Sequence, residues 1–441
     1  MKLDCAALRQ EIRFGNFFTC CGKVEQIVGM IIEASGLACN IGDVCEITLS
    51  STGKSGTARK VASEVVGFKG GKTLLMPYEN IDGIGYGSTV FNTGRKLQIR
   101  MGDGLVGRII DALGNPLDDK GPIDGDVWYS INGTPSNPMQ RPQISQPIEL
   151  GVKAIDGMIT IGKGQRMGIF AGSGVGKSTL MGMIARNVTA DVNVIGLVGE
   201  RGRELMEFIR RDLGEEGLKR SVIVVATSDS SAMLRNKCAL TATTVAEYFR
   251  DRGKDVLLMM DSLTRYCMAQ REIGLSTGEP PVARGYPPSI YASLPRLLER
   301  CGNFENGTIT GIYTVLVEGD DSNEPVSDTV RGIIDGHIML SRKVAMKNHY
   351  PAIDVLASLS RLMSEIAPPE QKQAAGKIRR LMSIYNENQD LISIGAYKSG
   401  TNPELDEAMR KIGAVNEFLR QPVDVRFSME QTLEAMRTIT A

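Results

Sequence analysis

No stretch of this 441-residue sequence approaches the roughly 18 to 20 consecutive apolar residues that a membrane-spanning helix needs. The N-terminal segment also lacks the basic start and long apolar run of a secretory leader, and its longest early apolar run, 27–32, is broken by Gly29. A charge excess is missing too. Lys plus Arg and Asp plus Glu number 51 each, so no surplus positive charge is available to neutralise a nucleic-acid backbone, and no nucleic-acid partner is expected. The eight cysteines (5, 20, 21, 39, 45, 238, 267, 301) contain no CxxC pair, which predicts reduced thiols in a cytoplasm rather than a zinc site. Only two histidines occur, His337 and His349, neither at ligand spacing from a cysteine or aspartate, so both read as structural. The single tryptophan, Trp128, is expected to pack.

What is present is an ordinary soluble composition, 42% hydrophobic and 23% charged, in a chain long enough for several packed units. From 22 to 93, short β-rich runs (KVEQIVGMIIEA, DVCEITL, VASEVVGF, TLLMPY) are divided by turn signals at 51–56 and 69–72, which predicts a small β-barrel. A Gly/Pro/Asn-rich strap at 121–147 carries Pro122, Pro135, Pro138, Pro142 and Pro147 and cannot be one regular element. Beyond it the rhythm changes. Apolar strands at 165–170, 192–198, 222–226, 256–260 and 309–317 alternate with helical stretches, the pattern of βαβ units in a mostly parallel sheet with chemistry at the strands' C-terminal ends. After Pro368-Pro369 the strand signal stops, and Leu405, Ala408, Met409, Ile412, Val415, Phe418 and Leu419 recur on one helical face.

Three strand ends carry the chemistry. The strand closing at Phe170 leads through Ala171 into Gly172-Ser173-Gly174-Val175-Gly176-Lys177-Ser178-Thr179 and then a helix-compatible run. Glycines let backbone N–H groups face phosphate oxygens, Lys177 reaches the β- and γ-phosphates, and Ser178 is placed to ligate Mg²⁺. Binding is not yet hydrolysis, which needs an oriented water and a stabilised γ-phosphate. The strand at 192–198 ends in Gly199-Glu200-Arg201, placing Glu200 beside the loop to polarise water; a solvated charged turn is the competing reading. The apolar run 256–260 ends in Asp261, a carboxylate suited to holding Mg²⁺ through water across from Ser178, although apolar strands with a terminal Asp are common.

The chain resembles the flagellar and type III secretion ATPases, relatives of the catalytic subunit of the rotary F-type ATP synthase. The matching stretches are GDGLVGRIIDALGNPLDDKGPI (102–123), AGSGVGKST (171–179), GERGRE (199–204), LLMMDSLTRY (257–266), AQREIGLSTGEPP (269–281), GYPPSIYASLPRLLERCG (285–302), YTVLVEGDD (313–321) and HYPAIDVLASLSR (349–361). The resemblance implies an α/β fold: a RecA-like P-loop core over 94–366, an N-terminal β-barrel over 1–93 and a C-terminal helical domain over 367–441. It implies ATP and Mg²⁺ as cofactors, Lys177 and Ser178 as the phosphate and metal residues, Glu200 as the catalytic carboxylate, Arg201 towards the γ-phosphate and Asp261 near the metal.

By the same resemblance Arg361 is an arginine finger supplied to the neighbouring subunit, Tyr350 stacks on adenine, and Val423 stands where the related pocket has its second aromatic. The loop 279–288 resembles one facing a ring's central channel, or serves as a rigid turn. The implied assembly is a homohexamer energising protein export. Its implied partners are a stator-like regulator, a coiled-coil stalk protein, the export gate, substrates and chaperones, at the inner face of the cytoplasmic membrane. Leu3, Ala7, Leu8 and Ile12 form a short face for the regulator. KNHYPAIDVLASLSRLMSEI and GEEGLKRSVIVVATSD lean flagellar over injectisome. A rotary synthase subunit and a ring-shaped RNA translocase are the other readings. The second would want barrel aromatics for base stacking, and from Gly22 up to Tyr86 the sequence offers just Phe68 and Tyr78.

Overall fold

The computed structural model describes residues 20–52, 58–134, 136–317 and 324–441. The N-terminal apolar face, most of the turn at 51–56, Pro135 and the end of the 313–321 stretch lie outside the described residues. The described chain forms two compact units, one of residues up to Leu97 with Ser276–Glu279, the other of Gln98–Leu275 with Pro280–Ala441.

The first unit is a closed six-stranded barrel in the order β1-β2-β5-β4-β3-β6. Its strands are β1 (Cys21–Val28), β2 (Ile31–Ser35), β3 (Asp43–Thr52), β4 (Ala58–Lys69), β5 (Lys72–Pro77) and β6 (Thr89–Lys96). The single apolar run at 23–34 is two strands: Gly29, at φ 58, turns the chain so that Val28 pairs with Ile31. Gly70 and Gly71, at φ 57 and 77, make the β4–β5 turn as expected, because a two-residue hairpin matching the strand twist needs positive φ at both positions. Alternate residues, among them Val24, Ile32, Ile47, Val65, Leu75 and Val90, fill the interior.

In the second unit β7 (Gln98–Met101) pairs with β9 (Val127–Ser130), so the strap contains one short strand as well as a 3₁₀ turn at Pro138–Gln140. Trp128, expected to pack, is 61% exposed on β9; in a short edge pair one face has nothing to pack against. The main sheet comprises β8 (Ile109–Asp111), β10 (Arg166–Ala171), β11 (Val192–Glu200), β12 (Ser221–Thr227), β13 (Asp255–Asp261), β14 (Gly302–Asn303), β15 (Thr308–Leu316), β16 (Gly336–Leu340) and β17 (Ile353–Ser360). Its order is β17-β16-β10-β15-β13-β11-β12-β8, with β14 alongside β15. All pairings are parallel except β16–β17 and β14–β15. The central strands are buried along nearly their whole length, which is why they read as continuous apolar runs.

The main helices are α1 (Lys177–Asn187), α2 (Ala232–Asp251), α3 (Leu263–Ser276), α4 (Pro369–Glu387), α5 (Pro403–Leu419) and α6 (Met429–Thr440). The last three pack together through Ala374, Ile378, Leu381, Ala408, Val415, Phe418 and Met436 and share the core cluster with α1. Met409, expected on the buried face, is 38% exposed, because the contact is a narrow stripe that Leu405 and Ala408 already fill.

Candidate nucleotide-binding and hydrolytic site

The loop that opens the site is shaped by two glycines. Gly174 and Gly176 have φ of 78 and 86, conformations that a side chain disfavours, and Gly176 caps α1. Val175, 2% exposed, anchors the loop from within, while Ser173, Gly174 and Ser178 face outward. Leu180, Met181, Met183 and Ile184 bury α1 on the sheet, so its N-terminus, with free N–H groups and partial positive charge, is held at the C-terminal end of β10.

Neighbouring strand ends bring the acidic groups to this loop. Lys177 Nζ donates to Asp261 Oδ1 at the end of β13 and lies 4.0 Å from Glu200 Oε1 at the end of β11. Thr314 Oγ1, from β15, donates to the same Asp261 oxygen at 2.7 Å. Glu200 reaches the cluster through a bulge: the register against β12 shifts between Val198 and Glu200, and Gly199 takes φ 71. A Cβ on Gly199 would stand 3.1 Å from Arg265 Cβ, so only glycine lets the bulge pass α3 without displacing it. The side chains of Lys177, Glu200 and Asp261 are 13%, 14% and 6% exposed. Burial raises the Glu200 carboxyl to about 7, Asp261 adds to the rise, and Lys177 and Arg265 oppose it. Glu200 therefore exchanges its proton near neutral pH, a property suited to a group that must take a proton from water.

The remaining sequence-marked residues divide. Tyr350 joins the loop: a Cβ on Gly176 would lie 3.6 Å from its ring. Its carbonyl accepts from the Gln421 N–H at 3.0 Å. The buried Gln421 side chain in turn accepts from Lys153 N–H and donates to the carbonyls of Gly151 and Val425. The ring itself is 43% exposed, open to a flat partner. Val423 is 37% exposed and its carbonyl accepts from Arg186 of α1 at 2.8 Å. Arg201 does not join the cluster; its guanidinium pairs with Glu204 at 2.9 Å and its side chain is 73% exposed. Arg361 is exposed just after edge strand β17, its N–H donating to the Asp335 carbonyl and its guanidinium to the Arg331 carbonyl at 3.4 Å, not to the Lys177 cluster.

Three family models match successive stretches of the chain. Residues 151–360 match the ATP synthase alpha/beta family nucleotide-binding domain, 24–94 the beta-barrel domain of that family, and 367–438 the T3SS EscN ATPase C-terminal domain. The chain is 54% identical over 419 residues to the flagellum-specific ATP synthase of Bacillus subtilis (strain 168), covering 95% of each. It is 51% identical over 419 residues to the type 3 secretion system ATPase of Xanthomonas euvesicatoria, covering 95% of this chain and 94% of that one. The chain belongs to the flagellum-specific and type III secretion ATPase family. Its fold agrees with that of the assembled ATPase EscN from the enteropathogenic E. coli type III secretion system, at a TM-score of 0.89 and 44% identity over 95% of this chain and 100% of that one.

This secretion ATPase is an ATP hydrolase, and two residues at its site escaped the sequence reading. Arg265 faces Glu200 with a buried Nε that has no hydrogen-bond partner. Its signal was available: it follows Asp261 by one helical turn at the start of α3. Thr314, inside an apolar strand, carries no such signal. For a metal, no group of three or more His, Cys, Asp or Glu side chains among the described residues could hold an ion. Asp261 and the exposed Ser178 hydroxyl are the protein oxygens at the loop that could hold an ion together with substrate phosphates and water.

Proposed function

We propose that this ATPase hydrolyses Mg²⁺-ATP at sites shared between neighbouring subunits of a homohexameric ring and thereby energises protein export through the flagellar apparatus. The observation that carries this reading is the separation of Arg361 from the cluster it is expected to serve. Lys177, Glu200 and Asp261 converge on the loop, while Arg361 is presented outward at the edge strand.

In this reading the loop N–H groups of Gly172 to Thr179 and Lys177 hold the phosphates, and Ser178 and Asp261 would hold Mg²⁺, which would neutralise phosphate charge when bound. Lys177 then exchanges Asp261 for phosphate oxygen. Glu200 orients a water and takes its proton as the water oxygen bonds to the γ-phosphorus and the bond to the bridging oxygen breaks, giving ADP and phosphate. Arg201 turns from Glu204 towards the γ-phosphate, and Arg361 of one subunit meets the charge developing in the next subunit's site. Tyr350 stacks on adenine, with Val423 closing the pocket.

The EscN-type C-terminal domain favours the secretion branch over a rotary synthase subunit. A central stalk is also supported by a relative: EscN in complex with its central stalk EscO superposes with a TM-score of 0.88. The loop at 279–288 faces such a stalk in this reading. The stator-like regulator, export gate, substrates and chaperones remain partners of the proposal, at the inner membrane face; among the described residues no helix is long and apolar enough to cross a membrane. The identity to the Xanthomonas protein equally favours an injectisome setting for the same chemistry. The test is light-scattering sizing with and without a non-hydrolysable ATP analogue, alongside ATPase titration. The reading expects nucleotide-promoted rings and turnover that follows them; full turnover by a monomer contradicts it.

A further inference from the structure

We propose that Asp335 is the positioning residue for Arg361, clamping the finger's backbone to the base of the same strand that carries the phosphate loop. The proposal rests on the shared-site reading above. Asp335 lies between the helix Pro325–Ile333 and β16, and each of its polar groups is engaged. Its N–H donates to the Arg166 carbonyl at 2.9 Å, and its Oδ2 accepts from Arg166 N–H and Nε, both at 3.0 Å. Oδ1 accepts from Arg166 Nη2 at 3.0 Å. Its carbonyl accepts from the N–H of Arg361 at 3.0 Å and from Gln165 Nε2 at 3.0 Å. Gln165, fully buried, donates from the same nitrogen to Ser360 Oγ at 3.1 Å. Ser360 is thus tied to Gln165, just before β10, and Arg361 to Asp335, whose carboxylate grips Arg166 at the start of β10. The clamp continues outward, since Arg166 Nη1 also pairs with Glu299, whose other oxygen accepts from Arg141 of the strap at 3.2 Å.

The neighbouring backbone leaves no slack. A Cβ on Gly336 would lie 2.4 Å from the Leu359 carbonyl and 3.0 Å from Ser360 Cα, so β16 and β17 meet closely just before Arg361. Beyond its N–H, Arg361 donates from its guanidinium to the Arg331 carbonyl at 3.4 Å, and its carbonyl accepts from Ser364 Oγ at 3.5 Å. A long cation held at its tip by one long hydrogen bond places its charge only as well as its backbone is held, and a misplacement of about 1 Å can cost on the order of 10²-fold in rate.

A salt bridge that merely stabilises the base of the sheet would look similar, and mixing separates the two. Asp335→Asn removes the charged partner of Arg166 and should lower turnover roughly tenfold or more, with ATP binding retained. Arg166→Lys, which loses the bidentate fork, should do the same and serves if Asp335→Asn does not fold. Purified variant subunits are combined before ring assembly and assayed for ATPase activity. Asp335→Asn mixed with Glu200→Gln should recover activity above either alone, because the Glu200→Gln chains bring a well-placed Arg361. Asp335→Asn mixed with Arg361→Ala should not recover. Recovery with Arg361→Ala, recovery with neither, or an Asp335→Asn enzyme of parental turnover overturns the proposal. Arg361→Ala mixed with Glu200→Gln is the control, and its failure to recover removes the shared-site reading itself.

Discussion

At the scale of single residues, the site depends on one carboxyl held near neutrality by its surroundings. Glu200, raised to about 7 mainly by burial, is neutral in acid and becomes the proton acceptor only above that pH. A pH series of kcat/KM should therefore rise through about 7, since that parameter reports groups of the free enzyme; a profile flat from pH 6 to 8 would remove the role. Glu200→Gln should bind ATP as the parent does and lose about 10²- to 10⁴-fold in turnover. The same carboxyl has a stability consequence. Its folded pKa lies above the ordinary value of 4.5, so the folded state disfavours the ionised form, and the cost is absent well below 4.5, grows between there and about 7, and is complete above. In thermal melts the Gln variant should gain on the parent as pH rises through that window, and equal or lower stability at pH 8 would contradict it. Glu200 and Asp261 were legible in the sequence because each ends an apolar strand, and Lys177 because it closes the glycine-rich loop that follows one. The pKa of Glu200 was not, because it depends on how deeply three separate strand ends bury one another.

At the scale of elements, strands and turns place those groups, and the informative sites are where the chain departs from regularity. The Gly199 bulge turns Glu200 towards Lys177 and lets Arg265 approach from α3. Gly199→Ala should cost about 1 to 2 kcal/mol through its positive φ and lower turnover more than ATP affinity, measured by kinetics beside nucleotide titration. Tyr350→Ala should weaken ATP binding roughly tenfold, as loss of one stacked aromatic does, while Tyr350→Phe should not. The central strands were readable because burial on both faces makes them continuously apolar. Strands β8 and β17 at the two edges, and β16 beside β17, were not read as strands: short or half-exposed, they take their order from pairing with distant segments. The barrel's first run concealed a hairpin because Gly29 alone marks the turn.

At the scale of the whole molecule, residues from one chain complete only part of the proposed site. Specific activity should rise with protein concentration as rings form, and a rate per subunit that is constant across the range would oppose this. The most direct test is a mixture of Arg361→Ala and Glu200→Gln subunits, each nearly inactive alone. With equal amounts assembling at random around a ring, about a quarter of the sites pair an intact Lys177–Glu200–Asp261 cluster with an intact Arg361 from the next subunit. The account predicts ATPase activity near that fraction of the parent enzyme; mixed rings that stay as inactive as their parents would contradict it.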